Sequence, residues 1–271
     1  MNLDNWFNNE TEKPLDNLLD GAGFCGIFRK IGCIGDSLSS GEYEWTLPNG
    51  GTGVHDYFDY SWGRFMARTT GSTVYNMSRG GMTAERYIKT FANENGFWWD
   101  DDIDYICQAY IIALGVNESL SYDFEKIGSA ADIDTDDMNN NKETFAGYYG
   151  KIIQTLRQYR PKCRIFLMTI PKTANGGEKR AKNDERISEV IRDIAELFEF
   201  TYLLDFRKYA PEYDEAFQEK FFLGGHMNAM GYAITAKMVI SYIDYIIRHN
   251  YEDFKQIAFV GRSDHNKNAK W

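Results

Sequence analysis

Short apolar runs closed by glycine alternate along this chain with stretches whose apolar residues recur at helical spacing, and few folds accommodate that alternation. Residues 29–35 (RKIGCIG), 73–78 (TVYNMS), 105–115 (YICQAYIIALG), 163–169 (CRIFLMT) and 201–206 read as strands. Apolar runs of this kind, without an in-out alternation, fit strands buried on both faces of a parallel sheet. Between them, Phe58, Trp62, Phe65 and Met66 keep helical spacing up to Gly71, and further helical stretches cover 83–93, 144–159, 183–198 and 228–248. Over 183–198, Ile187, Val190, Ile191, Ile194 and Leu197 share one face. Strands joined by helical crossovers must lie parallel with helices on both faces. The predicted fold is therefore α/β, a three-layer α/β/α sandwich with a five-stranded parallel sheet.

The 271 residues divide accordingly: 1–28 as an arm packing on the domain, 29–250 as the domain, and 251–271 as a polar tail. Residues 119–142 form an acidic, Asn-rich insertion, and loops of such length are usually functional or mobile. With 40 acidic against 30 basic residues the net charge is -10, which repels a phosphate backbone, so no nucleic-acid partner is expected. No uncharged apolar run of spanning length and no basic-then-apolar leader appear, so no membrane partner and a cytoplasmic location are expected. Cys25, Cys33, Cys107 and Cys163 lack any paired spacing and read as buried free thiols. The run from Asp132 to Glu143 imitates a calcium loop, but its sixth position is Asp137 where that loop needs glycine. It reads as a solvated acidic loop, as do Asp100, Asp101 and Asp102. No metal and no cofactor are expected.

Ligands of open parallel sheets bind beyond the carboxyl ends of the strands. Strand one ends in Gly35-Asp36-Ser37, strand two runs into Asn76-Met77-Ser78-Arg79-Gly80-Gly81, and strand three ends in Gly115-Val116-Asn117-Glu118. Gly224-Gly225-His226-Met227-Asn228 precedes the last helix. A hydroxyl, glycine N–H groups, an amide and an imidazole are the inventory of acyl transfer. Taken singly, each residue has a plainer role: Ser37 as a turn or helix cap, Gly81 as a positive-φ turn, Asn117 as a loop cap, His226 as a surface residue. His55, His249 and His265 lie in no comparable block.

In combination, IGDSLSSG, NMSRGG, LGVNES and GGHMN resemble the four blocks of the SGNH (GDSL-type) hydrolases, in order and in placement, from about residue 29 to 248. The resemblance implies the flavodoxin-like SGNH hydrolase fold and a serine esterase acting on a small-molecule ester. It makes Ser37 the nucleophile and His226 the base, with the N–H of Ser37, the N–H of Gly81 and the side chain of Asn117 as the oxyanion hole. Two positions depart from the family: Glu118 stands for the usual aspartate after the asparagine, and Leu223 stands where an aspartate orients the histidine. A leucine cannot stabilise an imidazolium, so a Ser-His dyad oriented by the backbone carbonyl of Leu223 is expected, with the carboxylate of Asp205 as the other candidate. Aromatics and carboxylates in Gly41-Glu42-Tyr43-Glu44-Trp45 lead to an expected acetyl esterase of carbohydrates, with Tyr43 and Trp45 binding substrate. A lipase or thioesterase of the same family and a catalytically silent binding module are the alternatives. A flavin or phosphate binder fits poorly, because GDSLSSGE has the wrong glycine spacing and carries Glu42 and Glu44 where an anion would sit.

Overall fold

The computed structural model describes residue 7 and residues 11–98 and 105–260; Asp100, Asp101, Asp102, His265 and the end of the predicted tail lie outside the described residues. Five parallel strands form the sheet: β1 (Lys30–Gly35), β4 (Thr73–Ser78), β5 (Ala109–Ala113), β6 (Arg164–Met168) and β7 (Thr201–Leu204), in the order β4-β1-β5-β6-β7. Their registers run without interruption, with Ile34 opposite Met77 on one side and Ile112 on the other. Strand β1 thus lies inside the sheet, and its carboxyl end opens between those of β4 and β5, where the strand order reverses.

Two helical layers cover the sheet. On one face α2 (Trp62–Thr70) packs against the long C-terminal helix α7 (Ala229–His249), which the short α6 (Glu215–Phe221) also contacts. On the other, α4 (Phe145–Tyr159) and α5 (Gly177–Leu197) pack on each other, and α3 (Val116–Ser121) packs on α5. The structure is the three-layer α/β/α sandwich, with the sheet residues Ile31, Ile111, Phe166 and Leu204 inaccessible to solvent. All four cysteines are free and buried, and desolvation pushes their thiols up, away from the reactive thiolate.

Several boundaries differ from the sequence reading. The helical stripe 58–66 breaks at Ser61, whose hydroxyl caps α2 by accepting from Arg64 N at 3.1 Å, and a single 3-10 turn precedes it. Helix α5 begins at Gly177, six residues before the start expected at 183. The insertion is not a plain solvated loop: Asp132 bonds Lys142 and Thr144, and Asp134 accepts from the backbone of Asp136 and Asp137, so these acids are spent internally. Residues 251–260 are not a polar tail, since Phe254, Ile257 and Val260 are buried. In the N-terminal segment Leu19 N bonds Ser241 Oγ, Phe24 N bonds Asp244, and Glu12 pairs with Arg248, all three partners on α7. Among the described residues no helix is long and apolar enough to cross a membrane.

The largest departure is an element that the sequence reading treats as a loop. Strands β2 (Glu42–Thr46) and β3 (Thr52–Asp56) pair antiparallel as a hairpin outside the main sheet. Its turn is Leu47-Pro48-Asn49-Gly50-Gly51, a turn signal legible in the sequence.

Candidate active site

The site begins where β1 stops. Asp36 has extended backbone angles and caps α1 (Ser37–Ser40) by accepting from Leu38 N at 3.0 Å, which puts Ser37 at the first helical position. Gly35 cannot be larger, because a Cβ there would come 2.2 Å from Ser39 Oγ. The helix ends after one turn at Gly41, with φ 83°, and the chain turns straight into β2.

In a strand, alternate residues share a face, so Glu42 and Glu44 project together while Tyr43 projects opposite. Both carboxylates reach His226. Nδ1 of His226 lies 2.7 Å from Glu44 Oε1, which also accepts from Gly225 N at 2.9 Å. Nε2 lies 3.3 Å from Glu42 Oε1. Each carboxylate rests on a glycine: a Cβ at Gly224 would come 2.2 Å from Glu44 Oε2, and one at Gly80 would come 2.3 Å from Glu42 Oε2. His226 itself is held in β9 (His226–Met227), paired with β8 (Phe222–Leu223) so that Leu223 faces His226 across the ladder.

The imidazole therefore meets a carboxylate at Nδ1, and the two acceptors expected there are both corrected. The backbone carbonyl of Leu223 is not the partner given to Nδ1, which Glu44 occupies; Leu223 is 44% exposed and pairs with His226 in the ladder. Asp205 is taken up elsewhere: it accepts from Arg192 Nε at 2.8 Å and Thr169 Oγ1 at 3.0 Å, and it caps the turn Phe206–Tyr209. The substrate-binding expectation for Tyr43 and Trp45 also changes. Tyr43 packs edge-on against Tyr57 and Tyr60 and lies beside Tyr232, which anchors the hairpin on α7, while Trp45 is 45% exposed against His55. Neither lines the cavity described next.

That cavity, of about 390 Å³, brings Ser37, Asn117 and His226 together at the carboxyl end of the sheet. Asn117 lies in the first turn of α3, and its Nδ2 donates to Met82 O at 3.0 Å, leaving the second amide hydrogen for another acceptor. In the glycine block an added Cβ at Gly80 would stand 3.9 Å from Ser37 Cβ, while Gly81 has φ 68° and an added Cβ there would meet open space. Three acids here hold their protons more tightly than usual, each chiefly through desolvation. Asp36 is pushed up to about 6, Glu42 is raised, and Glu118, whose Oε1 accepts from Ala84 N at 2.6 Å, is pushed up to about 8. Among the described residues no cluster of His, Cys, Asp and Glu could hold a metal ion.

Comparison with known proteins bears on the same region. The GDSL-like lipase/acylhydrolase family matches residues 33–234, a span that includes Ser37, Asn117 and His226. No curated protein matches the chain. Among solved structures, an active-site mutant of a family two carbohydrate esterase from Clostridium thermocellum superposes with a TM-score of 0.52 at 17% identity, covering 89% of this chain and 66% of that one. A family two carbohydrate esterase with a carbohydrate-binding domain from Corynascus thermopiles (Myceliophthora fergusii) gives 0.54 at 16%, covering 79% and 65%. A protein from Lactobacillus plantarum gives 0.53 at 15%, covering 80% and 97%. These structures share the fold. With the family spanning most of the domain, the chain belongs to the GDSL-like lipase/acylhydrolase family and is a carboxylic ester hydrolase.

Proposed function

We propose that the chain hydrolyses small carboxylic esters through an acyl-enzyme on Ser37, with His226 as general base and Glu44 as the acid that completes a triad. Ser37 Oγ attacks the acyl carbon and yields its proton to Nε2 of His226. The oxyanion is met by the N–H of Ser37, a glycine N–H of the Gly80-Gly81 turn and the free amide hydrogen of Asn117. His226 returns the proton to the departing alkoxide, and water repeats the sequence to release the acid. Glu44 fixes Nδ1 as the protonated nitrogen and stabilises the imidazolium. Glu42 adds a second carboxylate at Nε2, on the side where the alcohol leaves. Its acceptor oxygens suit a hydroxyl-rich alcohol such as a sugar, in keeping with two fold neighbours described as carbohydrate esterases.

The observation that carries this reading is the 2.7 Å contact between Glu44 and Nδ1 of an imidazole that shares a cavity with Ser37. The rival reading, a silent binding module, rests on Leu223 in place of the acid, and a carboxylate at Nδ1 removes that motive. A fluorophosphonate probe tests it. The wild-type protein is expected to label at Ser37 and to hydrolyse p-nitrophenyl acetate, and Ser37→Ala to do neither. A wild-type chain that folds but takes no label would leave the binding module standing.

A further inference from the structure

Besides the reacting groups, the same cavity has an apolar chamber wall made of Leu114, Ile170, Pro171, Phe206, Tyr213 and Phe222. One cation reaches it. Arg180, near the start of α5, lines the same cavity as Ser37, and among the described residues lining it supplies the one guanidinium or ammonium group. Its side chain is 23% exposed, and its Nε is buried with no hydrogen-bond partner. The nearest carboxylate oxygen, Asp184 Oδ2, stands 3.6 Å from Nε, and Oδ1 of that carboxylate is taken by Ser119 Oγ. The chain makes room for the arginine stem: Gly176 has φ 113°, and a Cβ there would come 2.1 Å from Arg180 Cδ.

A partly buried guanidinium whose Nε makes no hydrogen bond, and whose ion pair with Asp184 is a long one of 3.6 Å, gains from a bidentate anion in the cavity. The two sides of the scissile ester differ in charge. His226 must hand its proton to the leaving alcohol, so the alcohol lies at Nε2, beside Glu42, where an anion is repelled. The acyl group then has the apolar chamber, with Arg180 as its polar end. Resting on the reaction proposed above, we propose that Arg180 is an acyl-side subsite for a terminal carboxylate, and that the preferred substrates are half-esters of short dicarboxylic acids.

Ethyl esters keep the alcohol constant and isolate the acyl group. Ethanol release is measured for ethyl hydrogen succinate, glutarate and adipate, beside ethyl butyrate, valerate and hexanoate. In the wild-type protein the ratio of kcat/KM, half-ester over neutral ester, is expected to exceed one at its best length. In Arg180→Gln that ratio falls about tenfold or more, and in Arg180→Lys, which keeps the charge but loses the fork, it falls less. Competitive inhibition of the wild-type protein by adipate against hexanoate reads the same subsite without any variant, and adipate is expected to bind more tightly. A wild-type ratio below one at all three lengths, or an Arg180→Gln protein whose two rates fall together, overturns the subsite. Ethanol release from the neutral esters that survives Ser37→Ala overturns the underlying reaction instead.

Discussion

Glu44 Oε1 accepts from both Nδ1 of His226 and the N–H of Gly225, so one oxygen sets the ring tautomer and the loop that carries the ring. On the proposed reaction its charge matters more than its shape. Glu44→Gln keeps an oxygen for the same donors and loses the charge that stabilises an imidazolium, so kcat is expected to fall by about 10²–10⁴-fold with a smaller change in KM. Steady-state kinetics on p-nitrophenyl acetate checks this, and a variant with wild-type kcat would return the acceptor role to a backbone carbonyl. Glu118 makes a different prediction. Its folded carboxyl is pushed up to about 8 by burial, against 4.5 in the open chain. Between those values the folded protein holds the extra proton, so its contribution to stability is fullest below about pH 4.5 and declines by about 1.4 kcal/mol per pH unit as pH rises. Glu118→Gln is expected to flatten that slope, and thermal melts of both proteins from pH 5 to pH 8 measure it. A slope unchanged by the substitution would mean that Glu118 is already ionised in the fold.

The hairpin β2–β3 is the element on which the charge arrangement depends, and its entry point is Gly41. There φ is 83°, and an added Cβ would stand 2.7 Å from Tyr57 O and 2.9 Å from Ser61 Cβ. Gly41→Ala carries a left-handed penalty of about 1–2 kcal/mol and must shift β2, moving Glu42 and Glu44 with it. A kcat loss of at least about tenfold is expected in a protein whose circular dichroism stays native; unchanged turnover would detach the hairpin from catalysis. The same element marks where sequence reading stops. The sheet strands and their helices were legible because each is a local pattern: an apolar run, or an i, i+3, i+4 stripe. Ser37, Asn117 and His226 were legible because each lies at a strand end or helix start with its block around it. Glu44 was not, because its contact with His226 joins residues 182 positions apart, and nothing local distinguishes it from Glu42. The EYE alternation after Gly41 and the Asn-Gly turn were the available signals: together they define a hairpin with two carboxylates on one face.

Across the whole molecule, groups that hold the layers together are separate from those that charge the site. Asp205 shows this best, because it stands at a strand end, in the region where catalytic acids are sought. Its side chain is 5% exposed and ties three parts of the fold: the end of β7 that carries it, Thr169 just after β6, and Arg192 on α5. Replacing it by asparagine keeps the volume and forfeits the charge-assisted bonds to Arg192. A guanidinium that is 30% exposed can recover part of that loss through water. Bonds to charged groups contribute about 1.5–3 kcal/mol, and in a domain of this size each kcal/mol moves the melting temperature by about 2–4 °C. Asp205→Asn is therefore expected to melt roughly 5–10 °C lower than the wild type while keeping kcat within about twofold at a temperature where it is folded. Glu44→Gln should do the reverse, losing kcat with little change in melting temperature, since a partly exposed carboxylate on a hairpin joins no layers. Measuring both quantities on both variants separates the roles. A folded Asp205→Asn protein as inactive as His226→Ala would place Asp205 in the catalytic machinery, and an unstable Glu44→Gln protein would make the hairpin contact structural.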